Sequence, residues 1–319
     1  MPLADMPKIG FGLWKVAPED CEDTVLEAIK AGYRHFDCAA DYGNEAEVGA
    51  GFAAAFAQGI VTRDELWITS KLWNTFHAPE HVEKACRKSL ADLGLDYLDL
   101  YLVHFPIALK FVPIEERYPP EWLAHPDAAT ATMERANVPL HATWAGMEGL
   151  VASGLTRQIG VCNYNSGLLH DLMSYAEIKP AVLQIEAHPY LTQEKLIRLA
   201  GEYGIHVTAF SPLGALSYVE LDMAGRADSV LTEPVVEAAA SAHGKAPAQI
   251  VLRWGIQRGT SIIPKTSKPE RMRENLALND FTLTDAEMAS ISALNANRRF
   301  NDPGVFCEAA FNTFNPIYD

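Results

Sequence analysis

Short apolar runs with strand character alternate with longer segments of helical period from residue 9 to residue 277. This alternation narrows the fold more than any other feature of the chain. The strand-like runs fall at residues 9–13, 33–37, 66–71, 98–104, 158–162, 181–185, 206–210 and 261–264. Helix-like segments follow at 19–31, 45–58, 80–93, 139–153, 166–175, 193–203, 248–258 and 269–277, the first closed by Gly32 and the third by Gly94. Strand and helix in strict alternation predict an α/β fold, a (β/α)8 TIM barrel. An open doubly wound sheet is the alternative, but it usually carries Gly-x-Gly-x-x-Gly after its first strand, and that motif is missing.

Two gaps interrupt the rhythm, at 105–137 and 211–246. Both follow a strand's C-terminal end, which predicts long loops over the C-terminal face. The first is rich in proline and aromatics (Phe111, Pro113, Tyr118, Pro119, Pro120, Trp122) and reads as an ordered flap. The tail from 281 to 319 exceeds what a barrel needs. No repeat, low-complexity segment or linker interrupts the chain, so one domain over residues 1–319 is expected.

Half the residues are apolar, enough for a large core, and the formal charge of −15 disfavours nucleic acid or an anionic membrane as partner. A local basic pocket for a phosphate stays open. Cys21, Cys38, Cys86, Cys162 and Cys307 are scattered and never form Cys-x-x-Cys, which predicts reduced thiols and neither a zinc site nor a disulfide framework. The first residues lack the basic start and apolar run of a signal peptide, and no stretch reaches membrane-spanning length without charge. A cytoplasmic protein, monomer or homodimer, acting on a small molecule is expected.

Parallel α/β folds bind ligands and do chemistry at the C-terminal strand ends. Four polar side chains belong there: Asp37, Tyr42 on the loop after it, Lys71 and His104. A lysine at the end of a buried strand needs a charge partner, and Asp37 is the natural one. Lys71 beside Tyr42 is expected to lower the phenol's pKa and make it a general acid, while His104 orients a carbonyl oxygen. Any one of these residues alone reads more simply as structural. All four in consecutive βα units point to catalysis.

The same residues carry a resemblance. Gly-Tyr-Arg-His-Phe-Asp (32–37), Asp-Tyr-Gly-Asn-Glu (41–45), Thr-Ser-Lys-Leu-Trp-Asn (69–74), Leu-Val-His-Phe-Pro (102–106), Ile-Gly-Val-Cys-Asn (159–163), Gln-Ile-Glu-Ala-His-Pro-Tyr (184–190) and Ile-Pro-Lys-Thr-Ser (263–267) resemble the aldo-keto reductases over nearly the whole chain. The loop at 110–120 and Arg-Phe-Asn-Asp-Pro (299–303) resemble the xylose reductase type, with aldose-6-phosphate reductases close by.

The resemblance implies that Tyr42 protonates the carbonyl oxygen, that Lys71 and Asp37 tune it, and that His104 orients the substrate. It implies NADPH as preferred cofactor, with NADH left open by Glu220, which matches a ribose-binding glutamate. Asn163 and Gln184 would hold the nicotinamide and Phe210 would stack on it. Ser211 and Leu213, with the loop to Arg226, would fold over the pyrophosphate. Lys265 and Arg271 would grip the 2′-phosphate, with Thr266, Ser267, Glu274 and Asn275 at the adenine. Trp14, Asp41, Trp73, His104, Phe105, Phe111 and Asn301 would frame the substrate, Asp41 and Asn301 binding sugar hydroxyls.

Departures are few. Cys162 stands where the family more often has Ser, Phe210 replaces a frequent Tyr, and the N-terminal hairpin that caps the barrel bottom looks short. Ser267 stands where members that also use NADH tend to carry Asn. The substrate implied is an aldose such as D-xylose. A sugar phosphate or a non-sugar aldehyde is the alternative, and a non-catalytic member of the fold a third. Arg298 beside Arg299 could meet a phosphate, although a solvated surface pair is the simpler reading.

Overall fold

Strands that read as continuous apolar runs are buried on both faces, as a parallel sheet wrapped in helices requires. In the computed structural model, which describes residues 3–318, these are β1 (Phe11–Gly12), β2 (His35–Asp37), β3 (Trp67–Leu72), β4 (Leu98–Val103), β5 (Thr156–Cys162), β6 (Val182–Glu186), β7 (His206–Phe210) and β8 (Ser261–Ile262). They pair in parallel in sequence order. Ile262 bridges Ile9, with Gly10 N donating to Ile262 O and Ile262 N to Lys8 O, both at 2.8 Å, so β8 returns to the start of the chain. The predicted (β/α)8 barrel is the observed fold. Closure is tight at Gly12, where a Cβ would lie 2.8 Å from Ile263 O.

The helices form where the spacing predicts them. α1 (Pro18–Ala31) begins with proline at its first turn, buries Cys21, Val25, Ala28 and Ile29 on one stripe, and ends at Gly32 with φ 113. α2 (Glu45–Ala57), α3 (Pro79–Leu93), α4 (Leu140–Ala152), α5 (Ser166–Tyr175) and α6 (Glu194–Glu202) continue the ring. Residues 211–246, expected to be one long loop, instead include α7 (Pro234–His243), preceded by four 3-10 turns. Proline at the start of α7 and Gly244 at its end mark this helix, yet its alanine-rich middle carries little apolar periodicity. α8 (Pro247–Gln257) and α9 (Pro269–Leu276) complete the ring, and the tail folds into α10 (Asp285–Ser292) and α11 (Pro303–Phe311).

At the barrel bottom the short N-terminal segment forms a 3-10 turn, Leu3–Asp5, residues 1 and 2 lying outside the described residues, and Met6 clusters there with Trp67, Leu100 and Leu102. No helix among the described residues is long and apolar enough to cross a membrane. All five cysteines are buried free thiols.

Candidate active site

Four side chains meet where β2, β3 and β4 end. Asp37 is the last residue of β2, Lys71 lies one residue before the end of β3, and His104 follows β4. Tyr42 arrives on the 3-10 turn Ala40–Tyr42, which Gly43 closes at φ 67, a conformation that costs glycine little. Lys71 Nζ donates to Asp37 Oδ1 at 2.5 Å, to the Cys38 carbonyl at 2.8 Å and to Tyr42 Oη at 2.9 Å. Those bonds use all three protons of the ammonium. Tyr42 Oη therefore accepts from Lys71 and keeps its own proton for another acceptor. Asp37 Oδ1, at 3.5 Å from the phenol, is too far to hold that proton firmly. Gln184 Nε2 donates to the other Asp37 oxygen at 2.6 Å.

Burial works against the charge on Lys71, but Asp37, Tyr42 and Cys162 outweigh it and hold the ammonium protonated, above the ordinary lysine value. His104 goes the other way. Burial, helped by the Lys71 charge, pushes it well below the usual histidine range and leaves it a neutral imidazole. Its ring lies edge-to-face with Tyr42 at 6.0 Å and with Trp73 at 5.4 Å. The expectation of a lowered Tyr42 pKa is not met. Burial raises it, and the nearby Lys71 charge and hydrogen bond offset only part of that. Sequence identifies the charges around the phenol but not how far it is withdrawn from water.

Above the tetrad opens a cleft of about 1200 Å³. Asp37, Tyr42, His104, Asn163, Gln184 and Phe210 form its floor and near wall. Trp14, Asp41, Phe105 and Asn301 line it too, as do Ser211, Leu213 and Glu220 on the loop after β7, and Lys265, Thr266, Arg271, Glu274 and Asn275 from β8 onward. Asp41 has its carboxyl pushed up to about 7 by burial, then by Glu121.

Residues 8–296 match the Aldo/keto reductase family. The chain belongs to the aldo/keto reductase family. It is 52% identical over 301 residues to an Aspergillus clavatus protein named "Probable NAD(P)H-dependent D-xylose reductase", a span covering 94% of this chain and 90% of the relative. An Arthroderma otae protein of the same name is 53% identical over 300 residues, 93% and 90% of the two chains. Among solved structures, the aldose reductase of Schistosoma japonicum superposes with a TM-score of 0.84 at 37% identity, covering 97% of this chain and 94% of its own. A Bombyx mori aldo-keto reductase in complex with NADP does so at 0.84 and 36%, covering 98% and 95%.

Three of the residues expected in this aldo/keto reductase's cleft lie outside it. Phe111 stacks on His81 at 3.6 Å and meets Phe76 at 5.7 Å, so it packs over α3 and does not line the cleft. Trp73 is fully buried behind His104, and its Nε1 donates to Glu121 O at 2.8 Å. Ser267 is exposed and does not line the cavity. The aromatic wall comes from Trp122, Phe306 and Phe311. Trp122 was visible in the loop, but nothing in the sequence ranks it above Phe111.

Glu186 is a second omission. It is fully buried and accepts from Phe300 N and Asn301 N, both at 2.8 Å, which fixes the Asn301 segment to the end of β6. A signal existed, because Glu186 lies two residues beyond Gln184 and so on the same face of the strand. Arg298 is committed to Asp228 through two bonds of 2.7 Å and has no fork left for a phosphate. Lys15 Nζ donates to Ser217 O at 2.9 Å and meets Glu220 at 3.4 Å, pinning the loop after β7 to the loop after β1.

The donors and acceptors suit a nicotinamide dinucleotide phosphate. Lys265 and Arg271 have no carboxylate partner among the described residues, as two cations waiting for an anion would. Gln184 spends its amide nitrogen on Asp37 and keeps its oxygen. Asn163 retains one amide proton and one lone pair after its bonds to His104 O and Tyr318.

Proposed function

We propose that this chain reduces the aldehyde of an open-chain aldose, D-xylose or a close analogue, to the alcohol, with NADPH preferred over NADH. The observation that carries the reading is the Lys71–Tyr42 contact. An ammonium with all three protons committed holds a phenol whose own proton is available in the cleft. Relatives named as D-xylose reductases support the substrate, and the Bombyx mori complex supports the cofactor.

The dinucleotide, when bound, supplies a hydride. The rest falls to the chain's own residues. His104, neutral, donates a hydrogen bond to the carbonyl oxygen and holds it beside Tyr42 Oη. As negative charge develops on that oxygen, the Tyr42 proton passes to it, and Lys71 at 2.9 Å stabilises the phenolate left behind. A phenol kept protonated at rest serves this step, since the alkoxide it meets is the stronger base. Asp37 and Gln184 hold Lys71 in place.

Asn163 and Gln184 bind the carboxamide and Phe210 carries the ring. Lys265 and Arg271 take the 2′-phosphate, Thr266, Glu274 and Asn275 the adenosine, and Glu220 the ribose. The loop through Ser211 and Leu213 covers the pyrophosphate. Asp41 and Asn301 bind the sugar hydroxyls. Asn301 Oδ1 is buried without a partner, and a site built to bind hydroxyls rejects analogues lacking them. One domain does all this, drawing its cleft from Gly12 to Phe311. A reducing, cytoplasmic setting goes with the unpaired thiols.

An aldose phosphate is the second reading. It rests on Arg299, which lines the cleft with a buried, unpartnered Nη1. The deciding experiment follows oxidation of NADPH, and separately of NADH, with D-xylose, a hexose 6-phosphate and a small aromatic aldehyde. Efficient turnover of xylose with NADPH is expected. Turnover of the phosphate alone would shift the reading to Arg299, and of the aromatic aldehyde alone would remove the sugar.

A further inference from the structure

After α11 the chain does not leave the barrel. Asn312 Nδ2 donates to Ala131 O at 3.0 Å, the Thr313 hydroxyl accepts from Met133 N at 2.9 Å, and Arg135 donates to Phe314 O at 2.5 Å. These bonds lay residues 312–314 along the loop after β4. Asn165 Nδ2 then reaches Ile317 O at 3.4 Å, bringing the tail to the end of β5. There Tyr318 turns inward, its ring 3.5 Å beneath the Arg299 guanidinium and its hydroxyl 3.1 Å from Asn163 Oδ1.

Asn163 is an unusual residue for such a contact. It is buried, follows β5 directly, and holds a left-handed backbone at φ 61. Its Nδ2 donates to His104 O at 2.9 Å. A carbonyl can only accept, so the amide nitrogen faces His104 and the amide oxygen faces Tyr318, which must donate. The two bonds hold the amide from both edges. One N–H and one lone pair remain, the complement of a primary carboxamide.

We propose that Tyr318 is a positioning residue for the nicotinamide carboxamide: the C-terminal tail completes the site by fixing the Asn163 amide through the Tyr318 hydroxyl. The proposal rests on the reading that Asn163 holds the cofactor's carboxamide. Without the hydroxyl the amide is tethered by its nitrogen alone and rotates away from the geometry that pairs with the ligand. The tail, far from the tetrad in sequence, thereby acts on the hydride donor and not on the proton donor.

The test uses the full-length chain and its Tyr318→Phe variant, which keeps the ring under Arg299 and removes only the oxygen. Binding is read by quenching of tryptophan fluorescence with NADPH, and with adenosine 2′,5′-bisphosphate, which has the 2′-phosphate and no nicotinamide. The Kd for NADPH is expected to rise about threefold to tenfold, the loss of one neutral hydrogen bond. The Kd for the bisphosphate should stay within about twofold, inside the scatter of uncoupled sites. In an Asn163→Ala background the Tyr318→Phe change should add nothing further, because the residue it acts through is gone. Equal weakening of both ligands would mean a general loosening of the tail and would overturn the proposal, as would an unchanged NADPH affinity or full additivity with Asn163→Ala. Wild-type protein that binds the bisphosphate but gains nothing from the nicotinamide half would bring down the carboxamide reading, and the tail's role with it.

Discussion

Glu45 offers a quantitative test of how burial sets charge near the site. It opens α2, three residues after Tyr42, and is buried among α2, β3 and α3. Ser70 Oγ donates to Oε1 at 2.5 Å and Ser89 Oγ to Oε2 at 2.7 Å. Burial pushes the carboxyl from about 4.5 up to about 7, against the lowering effect of the two serines. A folded-state pKa above the unfolded one means that the folded protein holds the proton more tightly. Stability is therefore lost as pH rises through the window from 4.5 to 7, and the loss is complete above it. At 1.36 kcal/mol for each tenfold difference in proton affinity, the full effect is about 3 kcal/mol, most of which falls between pH 5 and pH 8.

Glu45→Gln has the shape of the neutral acid, with one acceptor and one donor for the two serines, and cannot ionise. The variant should escape this pH dependence. With about 2.1 cal/mol/K of unfolding entropy per residue over 319 residues, its Tm should gain about 4 °C on wild type between pH 5 and pH 8. The assay is calorimetric Tm of both proteins at half-unit pH steps. The difference between the two curves cancels every other titrating group, Asp41 included, and any constant packing penalty shifts it without tilting it. Curves that run parallel from pH 5 to pH 8 would refute the reasoning and mean that Glu45 is already ionised in the folded protein at pH 5.

Tyr42→Phe should lower kcat by at least about 100-fold while the Kd for NADPH stays within twofold, the signature of a lost general acid; near-normal turnover would remove Tyr42 from the chemistry. Arg271→Ala should raise KM for NADPH about tenfold or more, one lost charge-assisted contact, and leave KM for NADH nearly unchanged. Equal effects on both cofactors would place the 2′-phosphate elsewhere. Phe111→Ala should cost about 2 kcal/mol of stability through its contacts with Phe76 and His81 and leave the KM for aldehyde unchanged, whereas Trp122→Ala should raise that KM; the reverse pattern would restore Phe111 to the substrate wall.

Most of the barrel was legible because most strands carry a buried apolar run, β5 only from Ile159 onward, and each early helix carries its stop signal, Gly32 and Gly94 among them. α7, α10 and α11 were not, since each leans on end signals more than on a repeating apolar stripe, whereas α6 and α9, as short, carry that stripe. The tetrad was legible for a positional reason: Asp37, Lys71 and His104 are polar residues at the ends of apolar strands, where burial demands a partner. Loop residues carry no such marker. Phe111 and Trp122 share a loop and a chemistry, and only packing against His81 or Phe306 separates them. The Tyr318–Asn163 contact spans 155 residues and leaves no local pattern at all.

The site's precision depends on residues one layer behind the cavity. The 2.9 Å contact of Tyr42 with Lys71, on which the proposed proton transfer rests, cannot be entrusted to a free loop. Asn44 Nδ2 donates to Leu13 O at 3.1 Å and Val16 O at 3.0 Å, tying the Tyr42 loop to the segment that carries Trp14. Glu45 ties the same loop to Ser70, the neighbour of Lys71, so Tyr42 is registered against its cation by two adjacent anchors. Glu186 does the same for Asn301, and Tyr318 for Asn163. Asn44, Glu45 and Glu186 are buried polar groups and Tyr318 a half-buried one, each with a partner on another element. Loss of one would leave the other unsatisfied away from water, a penalty that holds the arrangement together as firmly as the bond itself. Asp37 and Lys71 sit at strand ends, whereas Tyr42 and Asn301 sit on loops that ligands can reach, and these anchors give those loops the rigidity of the barrel.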